Sequence, residues 1–260
     1  MPRTLVKMKL KEGVANVKIT NPPYNFLDPL VLKECREILE SLDSNPDCRV
    51  IVLGSEGDVF CAGADFTDII KELSQGLDPS QRLNEFYREV RAMFRCTTPI
   101  VAAVDGAAIG AGLGLALLAD FRIACPEATF SANFNRLGFH PGFGLSITLP
   151  RLIGSHNAEL LFYTGRRIKG PEAERLGLVT ELVAREEVFQ RAESLALEIA
   201  RSAPIAVRNT RATMRLGLAA QVESANKREL KLQISEMKTK DFLEGISASL
   251  ARRDPEFIGM

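Results

Sequence analysis

The stretch Ile100-Val-Ala-Ala-Val-Asp-Gly-Ala-Ala-Ile-Gly-Ala-Gly-Leu-Gly114 decides how this chain is read. Its first five residues are small or β-branched and wholly apolar, as in a strand buried on both faces. A turn of Gly and Ala then leads into a helix-forming run, Leu113 to Ala119. A strand feeding a helix through such a turn is the joint of a β–α unit with parallel strands, which gives an α/β fold class. Working outward, Val50 to Leu53 repeats the buried-strand pattern and Phe121 to Ala124 does so more weakly. Val14 to Thr20 alternates as a strand and stops at Asn21-Pro22-Pro23. Asp28 to Leu42 sets apolar residues at helical spacing, with Asp28 as N-cap and Pro29 in the first position. Pro79 to Phe94 reads as another helix. Past about Glu181 the rhythm changes. Glu186–Ser202, Pro204–Leu216, Gln221–Met237 and Phe242–Leu250 follow as helices with no strand between them, so their apolar faces must meet each other, the core or another subunit.

Lys plus Arg number 33 and Asp plus Glu number 33 in 260 residues. The zero net charge provides no overall field for nucleic acid or an anionic membrane, and neither is expected as a partner. No run approaches the ~18–20 apolar residues of a membrane span. Five cysteines, at 35, 48, 61, 96 and 125, stand singly. They suit neither a disulfide framework nor a zinc site, so reduced thiols, no metal and a cytoplasmic location are expected.

Chemistry concentrates in two small-residue turns. Phe60-Cys-Ala-Gly-Ala-Asp-Phe66 follows the Val50–Leu53 strand, and Asp105 to Gly114 follows the Ile100–Val104 strand and opens a helix. Small side chains let a ligand reach the backbone, and free N–H groups at a helix start favour an anionic oxygen. Two such turns on neighbouring strands can give two donors to one oxyanion. The glycines at 110, 112 and 114 miss the dinucleotide spacing G-x-G-x-x-G, and no Walker Lys-Ser/Thr follows.

These residues carry a resemblance. Phe60 to Asp65, Pro99 to Gly112 and Leu115 to Asp120 resemble the enoyl-CoA hydratase/isomerase (crotonase) family, and Leu137-Gly138, Pro141-Gly142, Leu149 to Gly154, Leu161 to Arg166 and Glu172 to Val179 continue it in order. The resemblance implies a crotonase-like spiral of β-β-α repeats with the acyl-CoA site in residues 1–200. A C-terminal helical region, 201–260, would close the CoA site and assemble a homotrimer or a hexamer of paired trimers. It implies an enzyme of fatty acid or aromatic acid metabolism, nominally a lyase or isomerase, with no bound cofactor and coenzyme A arriving as part of the substrate. The Ala64 and Ala111 N–H groups would form the oxyanion hole. Ala62, Asp65, Phe66 and Gly110 would line the CoA and acyl path, with Tyr24 and Phe26 along its border. Arg252 falls where a basic residue meets CoA phosphates, and Ser249 where relatives often have an aromatic.

The family pattern breaks at its acid–base residues. The two glutamates by which hydratases activate water would stand at Gly114 and Phe134. General acid–base catalysis is worth about 10²–10⁴-fold, so ordinary hydration is not expected. His140, beside Pro141 and Gly142, is the substitute base or nucleophile that the sequence offers, for thioester or C–C hydrolysis or decarboxylation. A carboxylate from elsewhere, such as Glu72, Glu85 or Glu236, is the other route. A silent acyl-CoA-binding subunit is the alternative to an enzyme. Phe134, Phe139 and Phe143 would wall an apolar pocket, for an acyl group larger or flatter than crotonyl. Asp65 and Asp68 are expected to cap a helix from Phe66, and Asp120 to be structural.

Overall fold

The computed structural model describes residues 4–260. In chain order the elements are β1 (Val6–Lys11), β2 (Val14–Ile19), α1 (Pro29–Asp43), β3 (Val50–Ser55), α2 (Thr67–Ser74), α3 (Ser80–Met93), β4 (Ile100–Val104), β5 (Ala107–Ile109), α4 (Ala111–Leu118), β6 (Phe121–Ala124) and β7 (Thr129–Ser131). A 3₁₀ turn, Asn133–Leu137, precedes α5 (Leu145–Ile153), α6 (Ser155–Thr164), β8 (Arg167–Lys169), α7 (Gly170–Arg175), β9 (Glu181–Leu182) and α8 (Val188–Ala200). The chain ends in α9 (Pro204–Met214), α10 (Leu218–Glu236) and α11 (Lys240–Ala251).

Among the described residues the strands form two sheets. The larger runs β1-β2-β3-β4-β6-β9, antiparallel at β1/β2 and parallel onward, with Ile51 opposite Ile100 and Val101 opposite Phe121. The smaller is β5-β7-β8. Strand β4 enters the large sheet, β5 the small one, and α4 follows; β6 and β7 repeat the step before the 3₁₀ turn. This is the expected spiral of β-β-α turns. All five residues of β4 are buried, which is why it reads as unbroken apolar sequence. Every residue of α4 is buried too, so that helix has no polar face to present.

Two clamps tie helices to strand ends. Asp120 accepts from Arg211 at 2.7 Å, from Arg215 at 3.0 Å and from the Ile100 N–H at 2.8 Å, which bears out its structural reading. Asp43, at the end of α1, accepts from the backbone and hydroxyl groups of Thr97 and Thr98. Burial pushes its carboxyl up, but these hydrogen bonds prevail and hold its pKa below the ordinary value. The C-terminal helices fold over the body. Helix α11 lies so close to the 3₁₀ turn that a Cβ on Gly245 would come within 2.5 Å of the Leu137 carbonyl carbon.

Candidate active site

The two turns meet by main-chain bonding. The Cys61 N–H donates to the Ala107 carbonyl at 2.9 Å, the Ile109 N–H to the Cys61 carbonyl at 3.0 Å, and the Ala62 N–H to the Tyr24 carbonyl at 3.0 Å. The Leu27 N–H donates to the Gly63 carbonyl and the Asp65 N–H to the Leu27 carbonyl. Segment 61–65 is thus pinned on both sides, and the Gly63 and Ala64 N–H groups are left without a protein acceptor. Ala111 opens α4 after Gly110, whose φ of 55° is a glycine conformation. As a first helical residue, Ala111 has no intrahelical acceptor for its N–H. Among the described residues neither the Ala64 nor the Ala111 N–H donates to a protein oxygen. Gly112 allows α4 this close: a Cβ there would lie 2.1 Å from the Cys61 carbonyl oxygen.

Both free N–H groups line one cavity of about 110 Å³. Ala62, Asp65, Phe66, Gly110, Phe134 and Gly142 line it as well. A cavity of ~150 Å³ holds benzene, so this one is on the scale of a small organic group. Phe134, Phe139 and Phe143 wall it, with Phe66 and Phe86 beside them. The rings meet edge to face, Phe66–Phe139 at 5.4 Å, Phe134–Phe139 at 5.5 Å and Phe139–Phe242 at 5.6 Å. Phe242 comes from α11, so the C-terminal helix buttresses the wall of its own chain.

At Gly114 the wall leaves no room for a side chain. A Cβ there would lie 2.6 Å from the Phe143 ring, so the ring occupies the space a side chain would need. Phe143 holds this position at φ 60°, left-handed for a non-glycine residue and costing about 1–2 kcal/mol. The Phe134 ring packs toward Gly110, 3.8 Å from where a Cβ would stand. The aromatic face on this side lowers the local polarity, which strengthens any hydrogen bond made to a developing oxyanion.

Several expected residues lie elsewhere. His140 is not in the cavity. It lines a separate surface depression with Glu236, Asp241 and Met260, where its Nδ1 bonds the Pro141 carbonyl at 2.7 Å and its backbone N–H donates to Glu236 at 2.6 Å. It braces the turn, so the sequence-based role as base or nucleophile is corrected. Pro141 is buried outside the cavity lining, next to Gly142, which does line it. Tyr24 is exposed, its ring tilted against Phe26 at 5.4 Å, and neither lines the cavity; both border it through Leu27 and the Tyr24 carbonyl. Gly114 touches it only through Phe143. Arg252 caps α11 and lines a second, basic cavity with Arg136, Arg166, Arg167 and Arg253, which adjoins the first through Asn133 and Leu137.

Among the described residues lining the cavity there is no glutamate and no histidine. Glu72, Glu85 and Glu236 do not reach it. Of the aspartates that do, Asp28 accepts from the Val31 N–H at 2.8 Å and Asp65 from the Thr67 N–H at 2.9 Å, both in helix-capping roles. Asp68, on α2, pairs with Arg82 at 3.2 Å, and Arg82 also holds Glu72 at 2.9 Å. Burial pushes the Cys61 thiol up to about 12, so the one cysteine in the turn is no nucleophile. Sequence reading missed Tyr87 and Gln233, which are buried and line the cavity from α3 and α10. They are 146 positions apart, so no local motif joins them.

A model of the enoyl-CoA hydratase/isomerase family matches residues 9–259. The chain belongs to that family. Among relatives of this hydratase/isomerase family member, the mouse mitochondrial enoyl-CoA hydratase domain-containing protein 2 is 36% identical, over 95% of this chain and 85% of the relative. Its human counterpart is 35% identical over 95% of this chain and 86% of the relative. Among solved structures, an enoyl-CoA hydratase/isomerase from Pseudoalteromonas atlantica superposes with a TM-score of 0.87 at 29% identity, over 98% of this chain and all of that one. A Mycobacterium avium subsp. paratuberculosis enoyl-CoA hydratase gives 0.85 at 26%, over 99% and 100%.

Proposed function

We propose that this family member acts on a short acyl-CoA thioester by holding the thioester oxygen in the Ala64/Ala111 hole, without ordinary hydration. One observation carries the reading. The unpartnered Ala64 and Ala111 N–H groups open into an aromatic-walled cavity whose described lining contains no glutamate. Such donors stabilise a charge that appears only as the reaction proceeds, which is what accelerates it. In an enolate route a base takes the α-proton, the C–H electron pair becomes the Cα=C bond, the carbonyl π pair moves to the thioester oxygen, and the hole receives that oxygen. Asp68 is the lining carboxylate not committed to a backbone cap, and it is the proton acceptor in this reading. Coenzyme A enters as part of the substrate, and Arg252 in the basic cavity is the proposed phosphate contact.

Assembly and place belong to the same proposal. Helix α9 has no buried residue, and Ile205 and Met214 are 75% and 68% exposed. An apolar groove lined by Leu117, Phe121, Leu152 and Val207 runs beside it, which supports a homotrimer or a pair of trimers. Five unpaired cysteines fit a cytoplasmic location, and no described helix is long and apolar enough to cross a membrane. Mass spectrometry of CoA thioesters after incubation with the protein tests the reaction, with crotonyl-CoA beside malonyl-type and aryl-acyl thioesters. Loss or rearrangement of the acyl group without a gain of water on crotonyl-CoA is the expected result. Gain of one water would overturn the reading of Gly114 and Phe134. A second reading, a silent acyl-CoA-binding subunit, is favoured by the same missing glutamates, and thioesters that bind but return unchanged would establish it.

A further inference from the structure

The aromatic cavity has a buried polar corner that the oxyanion hole does not use. Tyr87 on α3 is 2% exposed, and Gln233 on α10 is 3% exposed. The Tyr87 hydroxyl donates to Gln233 Oε1 at 2.9 Å, and Gln233 Nε2 donates to the His140 carbonyl at 2.8 Å. Both groups crowd Gly142: a Cβ there would lie 2.2 Å from the hydroxyl and 2.7 Å from Nε2. The missing side chain at 142 is what lets this corner face the cavity. A primary amide has two N–H donors. Among the described residues only one of those on Gln233 is used, so a donor is left beside the Phe86 and Phe143 rings of the lining.

We infer that Tyr87 and Gln233 select a short acyl group carrying an uncharged oxygen, hydroxyl or carbonyl, on its tail, over the plain hydrocarbon chain. This rests on the acyl-CoA reading above. Burial of an unsatisfied donor is costly, and a substrate oxygen would relieve that cost where a methyl group would not. An anionic tail is disfavoured by neighbours on α10. Glu229 stands one turn before Gln233 and Glu236 three residues after it, so carboxyl groups flank the amide on its own helix. The cationic side chain in the cavity, Arg82, is already held by Asp68 and Glu72.

Calorimetric binding of butyryl-CoA, 4-hydroxybutyryl-CoA, 3-hydroxybutyryl-CoA and succinyl-CoA to the intact protein tests this. One or both hydroxylated thioesters should bind about tenfold more tightly than butyryl-CoA, the fold-change of one net hydrogen bond, and succinyl-CoA should bind no better than butyryl-CoA. In Gln233→Met, which keeps the volume of the side chain, the ratio of hydroxylated to plain thioester should fall to about one. Tyr87→Phe should reduce the same ratio, with thermal melting reporting separately on the fold. Equal binding of plain and hydroxylated thioesters by the wild type would overturn the inference and leave the acyl-CoA reading standing. So would tightest binding of succinyl-CoA, or a ratio that survives in both variants. No binding of any thioester would overturn both.

Discussion

The two sides of the cavity are built from different material. The turns at 61–65 and 110–112 present backbone: their side chains are small, and the active groups are N–H bonds that every residue but proline has. The wall at 134–143 presents side chains, the Phe134, Phe139 and Phe143 rings, with Phe143 filling the space over Gly114. An oxyanion hole made of main chain survives drift in side-chain identity as long as residues stay small. Acid–base chemistry made of side chains does not. Under the proposed function, this contrast lets one chain keep the family's fold and a hole while departing from ordinary hydration.

The largest expected effect comes from the backbone side. Ala111→Pro removes the N–H at the first position of α4, where proline fits a helix. Turnover should fall about 10²–10³-fold, with thioester binding and melting temperature nearly preserved. A variant that turned over normally would break the comparison, because the hole would then not carry the reaction. Next, Gly114→Glu tests whether the wall can be reverted. Its Cβ runs into the Phe143 ring at 2.6 Å, so the variant should lose about 1–3 kcal/mol in urea denaturation and gain no hydration of crotonyl-CoA. Wild-type stability together with new hydratase activity would show that the wall is not the obstacle.

Smaller effects sharpen the contrast. Asp65→Ala removes the acceptor for the Thr67 N–H and should cost about 1 kcal/mol of stability with little change in turnover, since only the side chain is lost. A large loss of turnover would put Asp65 in the chemistry. The least expected change is a slope with pH. Glu229 accepts from the Gly144 and Ser146 N–H groups, the Ser146 hydroxyl and Asn226, and so holds the corner behind Phe143. Burial outweighs these bonds and raises its pKa above 4.5. The stability it contributes is therefore full below pH 4.5 and lost as pH rises through its folded value. Denaturation of wild type and Glu229→Gln across that range should show the wild type losing ground as pH rises. A gap independent of pH would mean the carboxyl titrates alike in both states.

Much of the fold is legible in local sequence because buried strands and tight turns leave local marks. The β4 run, the Asp28-Pro29 cap, the small residues at 61–64 and 110–114 and the four last helices each follow from neighbours within a few positions. Strand β1 lies outside that reading although its marks are local: Val6–Lys11 alternates apolar residues with three lysines and pairs with the adjacent β2, Lys11 opposite Val14. His140 is different: sequence puts it beside Pro141-Gly142, but only packing shows its ring turned to the Pro141 carbonyl and away from the cavity.

By itself, the sequence determined the family, the spiral and the two small-residue turns. These depend on which residues are small, apolar or absent at given positions, and that is one-dimensional information. Only the tertiary structure decided that Phe143 fills the space over Gly114, that His140 stands outside, and that Tyr87 and Gln233 meet in the cavity. Those facts depend on contacts between residues far apart in the chain, and side-chain identity alone does not encode which distant surface each one meets.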